Sequence, residues 1–233
     1  MQRVVFGTSN TKHEGGFILP SSAKKDLILQ NVLNCDTIYI EFKFKYKRKI
    51  KMSNLSDFVI ENEVLIKYIG NDSEIQIPDN ITAIGERAFA HHSQVRKIFI
   101  PEGVKTIEAY AFYCCICLEE LTIPSSVRQI KEAAFRNCDG IKNVTFRNGI
   151  VDVGEHAFAY CDSLQNIIFP KSVVKIGPWA FWCHGLKSIT ILNKATEIAS
   201  GAFSRNKHLV ILSAQGSTAE KYAKENDIPF EAI

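Results

Sequence analysis

An alanine–phenylalanine pair recurs along this chain of 233 residues at nearly constant spacing. Four intervals between successive pairs are 23 residues long, and the last is 22. A repeat this short cannot enclose a core of its own, so neighbouring repeats must bury each other's apolar faces. The pairs are Ala88-Phe89, Ala111-Phe112, Ala134-Phe135, Ala157-Phe158, Ala180-Phe181 and Ala202-Phe203. The period therefore predicts a stack of similar layers.

Each repeat changes its pattern along its length. The segments Ile98-Phe99-Ile100 and Leu121-Thr122-Ile123 alternate in the way that a strand with one buried face does. Proline follows this segment in most repeats and favours a turn, whereas Arg147 and Asn193 occupy that position in two of them. The repeat predicts a strand, a turn, a second short extended segment, and a short helix or helical turn at the Ala-Phe pair.

The pattern I-P-x-x-V-x-x-I-x-x-x-A-F-x-x-C-x-x-L, read from Ile123-Pro124 to Ile141, resembles the BspA-type leucine-rich repeats. The resemblance covers about residues 77–213. It implies an α/β fold: a right-handed solenoid of about six 23-residue repeats, with stacked parallel strands and short helical turns. It also implies a role in binding, often at cell surfaces, and no catalytic residue.

Four segments are predicted along the chain. They are a basic extension at 1–51, an N-terminal hairpin cap at 52–76, the leucine-rich repeats at 77–213, and a helix–strand cap at 214–233. A helix is expected to begin after Ser217, because Ser217 and Glu220 have the spacing of a capping box. The fifth repeat lacks one residue between Phe181 and Leu186, which predicts a local irregularity there.

The basic extension contains a segment with period two at residues 41–51. Aromatic Phe42, Phe44 and Tyr46 alternate there with lysines. This pattern favours an edge strand kept soluble by lysine, or a disordered tail. The functional alternative is a contact to nucleic-acid phosphates or to an anionic membrane. A further hypothesis is that translation begins at Met52, which would make residues 1–51 spurious.

Composition restricts the class of protein further. The net charge of +3 disfavours nucleic acid as the main partner. The sequence contains no run of 18 apolar residues, so no transmembrane segment is predicted. Residues 1–20 lack the apolar core of a secretory signal. The cytoplasm is therefore the default expectation, and the family resemblance makes the cell surface the alternative. The odd number of cysteines, seven, argues against a disulfide framework.

The cysteines are interpreted as structural. Cys115, Cys138 and Cys161 each follow the repeat phenylalanine by three residues, a position that His92 and Asn206 share, and the deletion is expected to displace Cys183. Substitution by His and Asn suggests a hydrogen-bonding position in the core. The C-x-x-C from Cys114 to Cys117 has no second pair to complete a zinc site. We therefore expect no metal, no cofactor and, in the absence of a catalytic motif, no enzyme activity.

Two surfaces are candidates for binding. The first is the strand face, formed by the outward residues Phe99, Thr122, Thr145, Ile168 and Thr190 with the flanking Glu120, Asn143 and Asn166. The second is a row of aromatic residues beside the Ala-Phe pairs, namely Tyr110, Tyr113, Trp179 and Trp182. The favoured function is a non-catalytic scaffold for protein–protein interaction through the strand face. A cell-surface adhesin fragment that binds a host protein or glycan is the alternative.

Overall fold

The computed structural model describes residues 53–233, so the predicted basic strand at 41–51 lies outside the described part. A short 3-10 helix at Leu55–Asp57 precedes the first strand, and one α-helix, α1, spans Thr218–Glu225. The strands are β1 (Phe58–Glu61), β2 (Val64–Tyr68), β3 (Glu74–Gln76), β4 (Ala83–Ile84), β5 (Lys97–Phe99), β6 (Thr106–Ile107), β7 (Glu120–Ile123), β8 (Gln129–Ile130), β9 (Asn143–Phe146), β10 (Asp152–Val153), β11 (Asn166–Phe169), β12 (Lys175–Ile176), β13 (Ser188–Ile191), β14 (Glu197–Ile198), β15 (Val210–Ser213) and β16 (Phe230–Ala232).

The solenoid consists of rungs, each containing one longer and one two-residue strand. The longer strands stack in parallel as β3-β5-β7-β9 and, farther along, as β11-β13-β15-β16. The two-residue strands stack in parallel on β2 in the order β4, β6, β8, β10, β12 and β14. Together with β1 and β2 they form an eight-stranded sheet. The residues in register are equivalent residues of successive repeats, such as Leu121 with Val144 and Ile130 with Val153. The predicted stack of parallel strands is confirmed.

The Ala-Phe segments form turns, and these add a third ladder of hydrogen bonds between rungs. The Phe112 N–H donates to the Ala134 carbonyl at 2.7 Å, and the Phe135 N–H donates to the Ala157 carbonyl at 2.8 Å. Residues two before and two after Phe89, Phe112, Phe135 and Phe158 also donate to the next rung, as Tyr110 does to Glu132. The hydrogen bonds within each turn span three residues, as that from the Ala111 N–H to the Glu108 carbonyl does, so the segment is a helical turn that does not extend into a helix.

The second residue before and the second residue after the repeat phenylalanine have a left-handed backbone in most of these turns. In the first four rungs the N–H groups of both residues, and that of the phenylalanine between them, donate along the stack. Most of these residues are not glycine, although the left-handed region costs an ordinary residue roughly 1–2 kcal/mol. They are Arg87, His91, Tyr110, Cys114, Ala133, Asn137, His156, Tyr160, Trp179 and Arg205, with Gly201 at the equivalent position of the last repeat.

The repeat phenylalanines form one continuous column through the core. The rings of Phe112 and Phe135 stack with centroids 4.9 Å apart and planes 3° from parallel. The spacing continues at 4.9 to 5.1 Å from Phe89 to Phe181. Phe203, at 6.0 Å and 38° from Phe181, follows the rung that contains the deletion. All six rings are buried, so each one needs both of its neighbours to exclude water.

Both ends of the column are covered. At the N-terminal end the antiparallel hairpin of β1 and β2 places Tyr68 over Phe89, with centroids 5.4 Å apart. At the C-terminal end α1 places Tyr222 edge-on against Phe203 at 5.6 Å. The Ser217 side chain caps α1 by accepting from the Glu220 N–H, while the Glu220 carboxylate accepts from the Gly216 N–H. A hairpin and a capped helix therefore close the apolar stack.

We predict that Phe135→Ala lowers the free energy of unfolding by about 3–5 kcal/mol, because it opens a cavity between two stacked rings. Thr145→Ala, on the exposed face of β9, should lower it by less than about 1 kcal/mol. Urea unfolding followed by circular dichroism measures both. Equal effects of the two substitutions would contradict the role of the column.

Candidate binding surfaces

The strand face runs over β5, β7, β9 and β11, and its ladder of strand hydrogen bonds is interrupted between β9 and β11. Thr122 and Thr145 are in register on neighbouring strands, and both are exposed. Phe99 and Ile168 are half-buried at the two ends of this strip. The flanking side chains Glu120, Asn143 and Asn166 are exposed in the same stack. The structure thus brings these seven predicted site residues onto one face.

Thr190 does not belong to this face, and its prediction as an outward site residue was wrong. Only 4% of Thr190 is exposed. Its register partners are Ile168 on β11 and Leu212 on β15, which are larger side chains than the threonines on β7 and β9. Leu212 on β15 is also buried, so the accessible strip ends at Ile168.

Charged side chains connect the rungs along one margin of the strand face. The Glu119 carboxylate accepts hydrogen bonds from the Arg96 guanidinium of the preceding rung. It also lies 3.8 Å from the Lys142 ammonium of the following rung. The Arg96 guanidinium holds the pKa of the Glu119 carboxyl below its usual value. The Lys97 ammonium lies 3.9 Å from the Glu120 carboxylate, which is a second ion pair between these rungs. A shallow depression lies among these residues and Ser73. The margin therefore displays both signs of charge in fixed positions.

The second candidate surface, which we call the turn face, consists of side chains on the left-handed turns. Tyr110 donates its hydroxyl hydrogen bond to Glu132 at 2.8 Å, while the Arg87 guanidinium lies 4.8 Å from its ring centroid. The ring of Tyr113 packs edge-on against those of Tyr110 and His91. Tyr110 and Tyr113 thus contact each other within one rung, contact side chains of both neighbouring rungs, and remain partly accessible.

The tryptophans lie at the other end of the turn face. Trp179 stacks on His156 with centroids 5.3 Å apart, yet 44% of it is exposed. Trp182 packs edge-on against Tyr160, with ring centroids 4.9 Å apart. The Arg205 guanidinium stacks over the Trp182 ring, 4.4 Å from its centroid. The sequence indicated the aromatic rings but gave no signal for these arginines, because their stacking pairs residues of neighbouring rungs.

The cysteines after the repeat phenylalanines occupy one hydrogen-bonding position. The Cys138 thiol donates to the Phe112 carbonyl at 3.0 Å, and Cys115 and Cys161 do the same one rung to either side. Asn206 fills the equivalent position through its amide, which donates to the Phe181 carbonyl at 2.9 Å. The structure therefore supports the structural interpretation of these residues.

The expected displacement of Cys183 was wrong. Its thiol still donates to the Phe158 carbonyl at 3.0 Å. A tighter turn, in which the Cys183 N–H donates to the Phe181 carbonyl two residues earlier, absorbs the missing residue. Burial raises the pKa of the Cys183 thiol to about 12 and those of Cys138 and Cys161 well above their usual value.

The described residues offer little that could support other kinds of site. Residues 53–233 contain no group of three or more His, Cys, Asp or Glu side chains arranged to hold a metal ion. Within the same range, no helix has the length and apolar character that a bilayer crossing requires.

Comparisons with known proteins agree with this architecture. The sequence profile of the BspA type leucine rich repeat region matches six copies, over residues 58–182 and 105–223. A leucine rich repeat protein of T. pallidum is similar in structure, with a TM-score of 0.65 and 20% identity over 78% of this chain and 98% of that one.

Two further solved structures are similar. A leucine rich cell surface protein of Faecalibacterium prausnitzii has a TM-score of 0.53 and 25% identity, over 73% of this chain and 56% of that one. A leucine-rich repeat protein of Eubacterium ventriosum has a TM-score of 0.51 and 23% identity, over 66% and 50%. No curated protein shows significant sequence similarity to this chain.

We predict that thiol alkylation separates two classes of cysteine. In the native protein at pH 8, N-ethylmaleimide should label the exposed Cys117 and leave Cys138, Cys161 and Cys183 unlabelled, because burial disfavours their thiolates. Peptide mapping by mass spectrometry measures the rates, and unfolding in urea should make the rates equal. Labelling of the native Cys138 as fast as that of Cys117 would contradict the structural interpretation.

Proposed function

Since the chain belongs to the BspA-type leucine-rich repeat family, we propose that it is a non-catalytic scaffold that binds a protein partner through the strand face. The binding residues are Phe99, Thr122, Thr145 and Ile168, with Glu120, Asn143 and Asn166 beside them. The observation that carries the proposal is the parallel register of β7 and β9, which aligns exposed side chains of successive rungs. Repetition thereby converts single side chains into a continuous surface.

The properties of the strip fit a protein surface. Its strands pair with neighbouring strands, β5 and β7 on both sides and β9 and β11 on one side, so little conformational entropy is lost when a partner binds. The half-buried Phe99 and Ile168 supply apolar contact area at the ends, and threonine and asparagine supply hydrogen-bonding groups between them. The fixed charges of Arg96, Glu119 and Lys142 would orient the partner and exclude surfaces with the wrong charge pattern.

The second candidate is an adhesin that works at a cell surface on a host protein or glycan. The description of the F. prausnitzii relative as a cell surface protein favours it. The two candidates share the binding scaffold and differ in where the protein acts. Surface labelling of intact source cells with a membrane-impermeant reagent tests this alternative, which requires the protein to be labelled.

We predict that Thr122→Arg combined with Thr145→Arg weakens the binding of the protein partner about tenfold or more, because two long cations would disrupt the centre of the strip. The partner is isolated with the wild-type chain from source-cell extract, purified and titrated by calorimetry. The matched control is Thr106→Arg with Gln129→Arg, which adds the same charge to the neighbouring strands β6 and β8 of the other sheet.

The control pair should bind as the wild type does, and both variants should retain the wild-type circular dichroism spectrum. Equal binding by the two double variants would show that the strand face is not the interface.

A further inference from the structure

Six side chains of the turn face form a structure that the strand-face proposal does not use. They are Arg136, His156, Tyr160, Trp179, Trp182 and Arg205, which we call the platform. The Arg136 guanidinium lies 5.4 Å from the Tyr160 ring centroid, Tyr160 packs on Trp182 at 4.9 Å, and the Arg205 guanidinium lies 4.4 Å from the Trp182 centroid. Two cations thus enclose two aromatic rings, and the Trp179–His156 stack lies beside them.

The two arginines of the platform lack an acidic partner within residues 53–233. Arg87 and Arg96, by contrast, pair with Glu86 and Glu119. The Arg136 Nε–H is buried without a hydrogen-bond partner among the described residues. The rings hold both guanidiniums in place, while their charges remain available to an anion. Arg136 and Arg205 lie three rungs apart, which corresponds to about 14 Å along the stack.

The fold itself does not require aromatic residues at these positions. The backbone is left-handed at His156, Tyr160 and Trp179, where φ is 54°, 60° and 49°. Ala133 and Gly201 occupy positions equivalent to His156 and Trp179 in other rungs and sustain the same turn. Large rings therefore stand where small residues suffice for folding, and strained positions of this kind are frequently functional.

The chemistry of the platform restricts the ligand. Exposed indole and phenol faces stack on the flat C–H faces of pyranose rings, and the guanidiniums form charge-assisted hydrogen bonds with carboxylate or sulfate groups. A peptide that binds by strand addition would instead need free backbone groups, but the His156 and Tyr160 N–H groups already donate to Pro178 and Trp182 of the next rung.

We propose that the platform binds an anionic glycan, a chain of pyranose units that carries carboxylate or sulfate groups. A sugar ring stacks on the exposed Trp179, and the anionic groups bind Arg136 and Arg205 three rungs apart. The site stands independently of the strand-face proposal, because it shares no residue with that face.

The test uses tryptophan fluorescence of the full chain, because both tryptophans of the protein, Trp179 and Trp182, belong to the platform. Size-defined hyaluronan oligosaccharides supply carboxylates alone, and heparin oligosaccharides add sulfates. We expect at least one of the two to change the emission saturably, and the one that binds identifies the anionic group. Dextran oligosaccharides, which are neutral, should leave the emission unchanged.

Substitutions connect the signal to the platform. Arg136→Gln with Arg205→Gln should weaken binding about tenfold or more. The control Lys105→Gln with Lys175→Gln removes the same charge from exposed positions near β6 and on β12 and should bind as the wild type does. Trp179→Ala should also weaken binding, which is followed by calorimetry and by the emission of Trp182, and thermal unfolding shows whether each variant is folded.

Four results would overturn the proposal. They are no binding of either anionic glycan, equal binding of dextran, and tighter binding of a poly-glutamate peptide with the same dependence on Arg136 and Arg205. The fourth is glycan binding that calorimetry detects while the tryptophan emission and the affinity of the arginine variant are unchanged. This result would show that the glycan binds outside the platform.

Discussion

The contact between one rung and the next is the interaction on which the rest of the structure depends. A single rung contains too few apolar side chains to offset the entropy lost when its backbone is ordered. Its phenylalanine is buried only because the neighbouring rings cover both faces, at about 5 Å on each side. Two strand ladders and the turn ladder hold the rungs at this spacing, and Tyr68 and Tyr222 end the column.

The same contact places the surface side chains. Residues at equivalent positions of successive rungs repeat in line, so the core determines where exposed groups lie while leaving their identity open. The chain uses this freedom differently on its two surfaces. The strand face carries small polar residues beside fixed charges, whereas the turn face carries rings and guanidiniums on a left-handed backbone. The two proposed sites share no residue, so the proposals do not exclude each other.

The sequence was sufficient to predict what depends on periodicity. The phenylalanine column, the parallel strands and the common cysteine position all follow from residues that return every 23 positions. The exceptions arise from contacts that periodicity does not encode. Thr190 is buried on β13, where its register partners are Ile168 and Leu212, although the same position is exposed on β7 and β9. Cys183 keeps its position because the backbone turn tightens. The guanidinium stacking depends on side-chain conformations across rungs, which spacing alone does not reveal.

Amide hydrogen exchange on Phe135→Ala is the most direct measurement of dependence between rungs. The N–H groups of Phe112 and Phe158 donate to the neighbouring rungs at 2.7 Å and are well suited as probes. If rungs stabilise one another, removal of the Phe135 ring should lower the protection of both amides as well as that of residue 135. Loss of protection confined to the substituted rung, with Phe112 and Phe158 unchanged, would contradict the account.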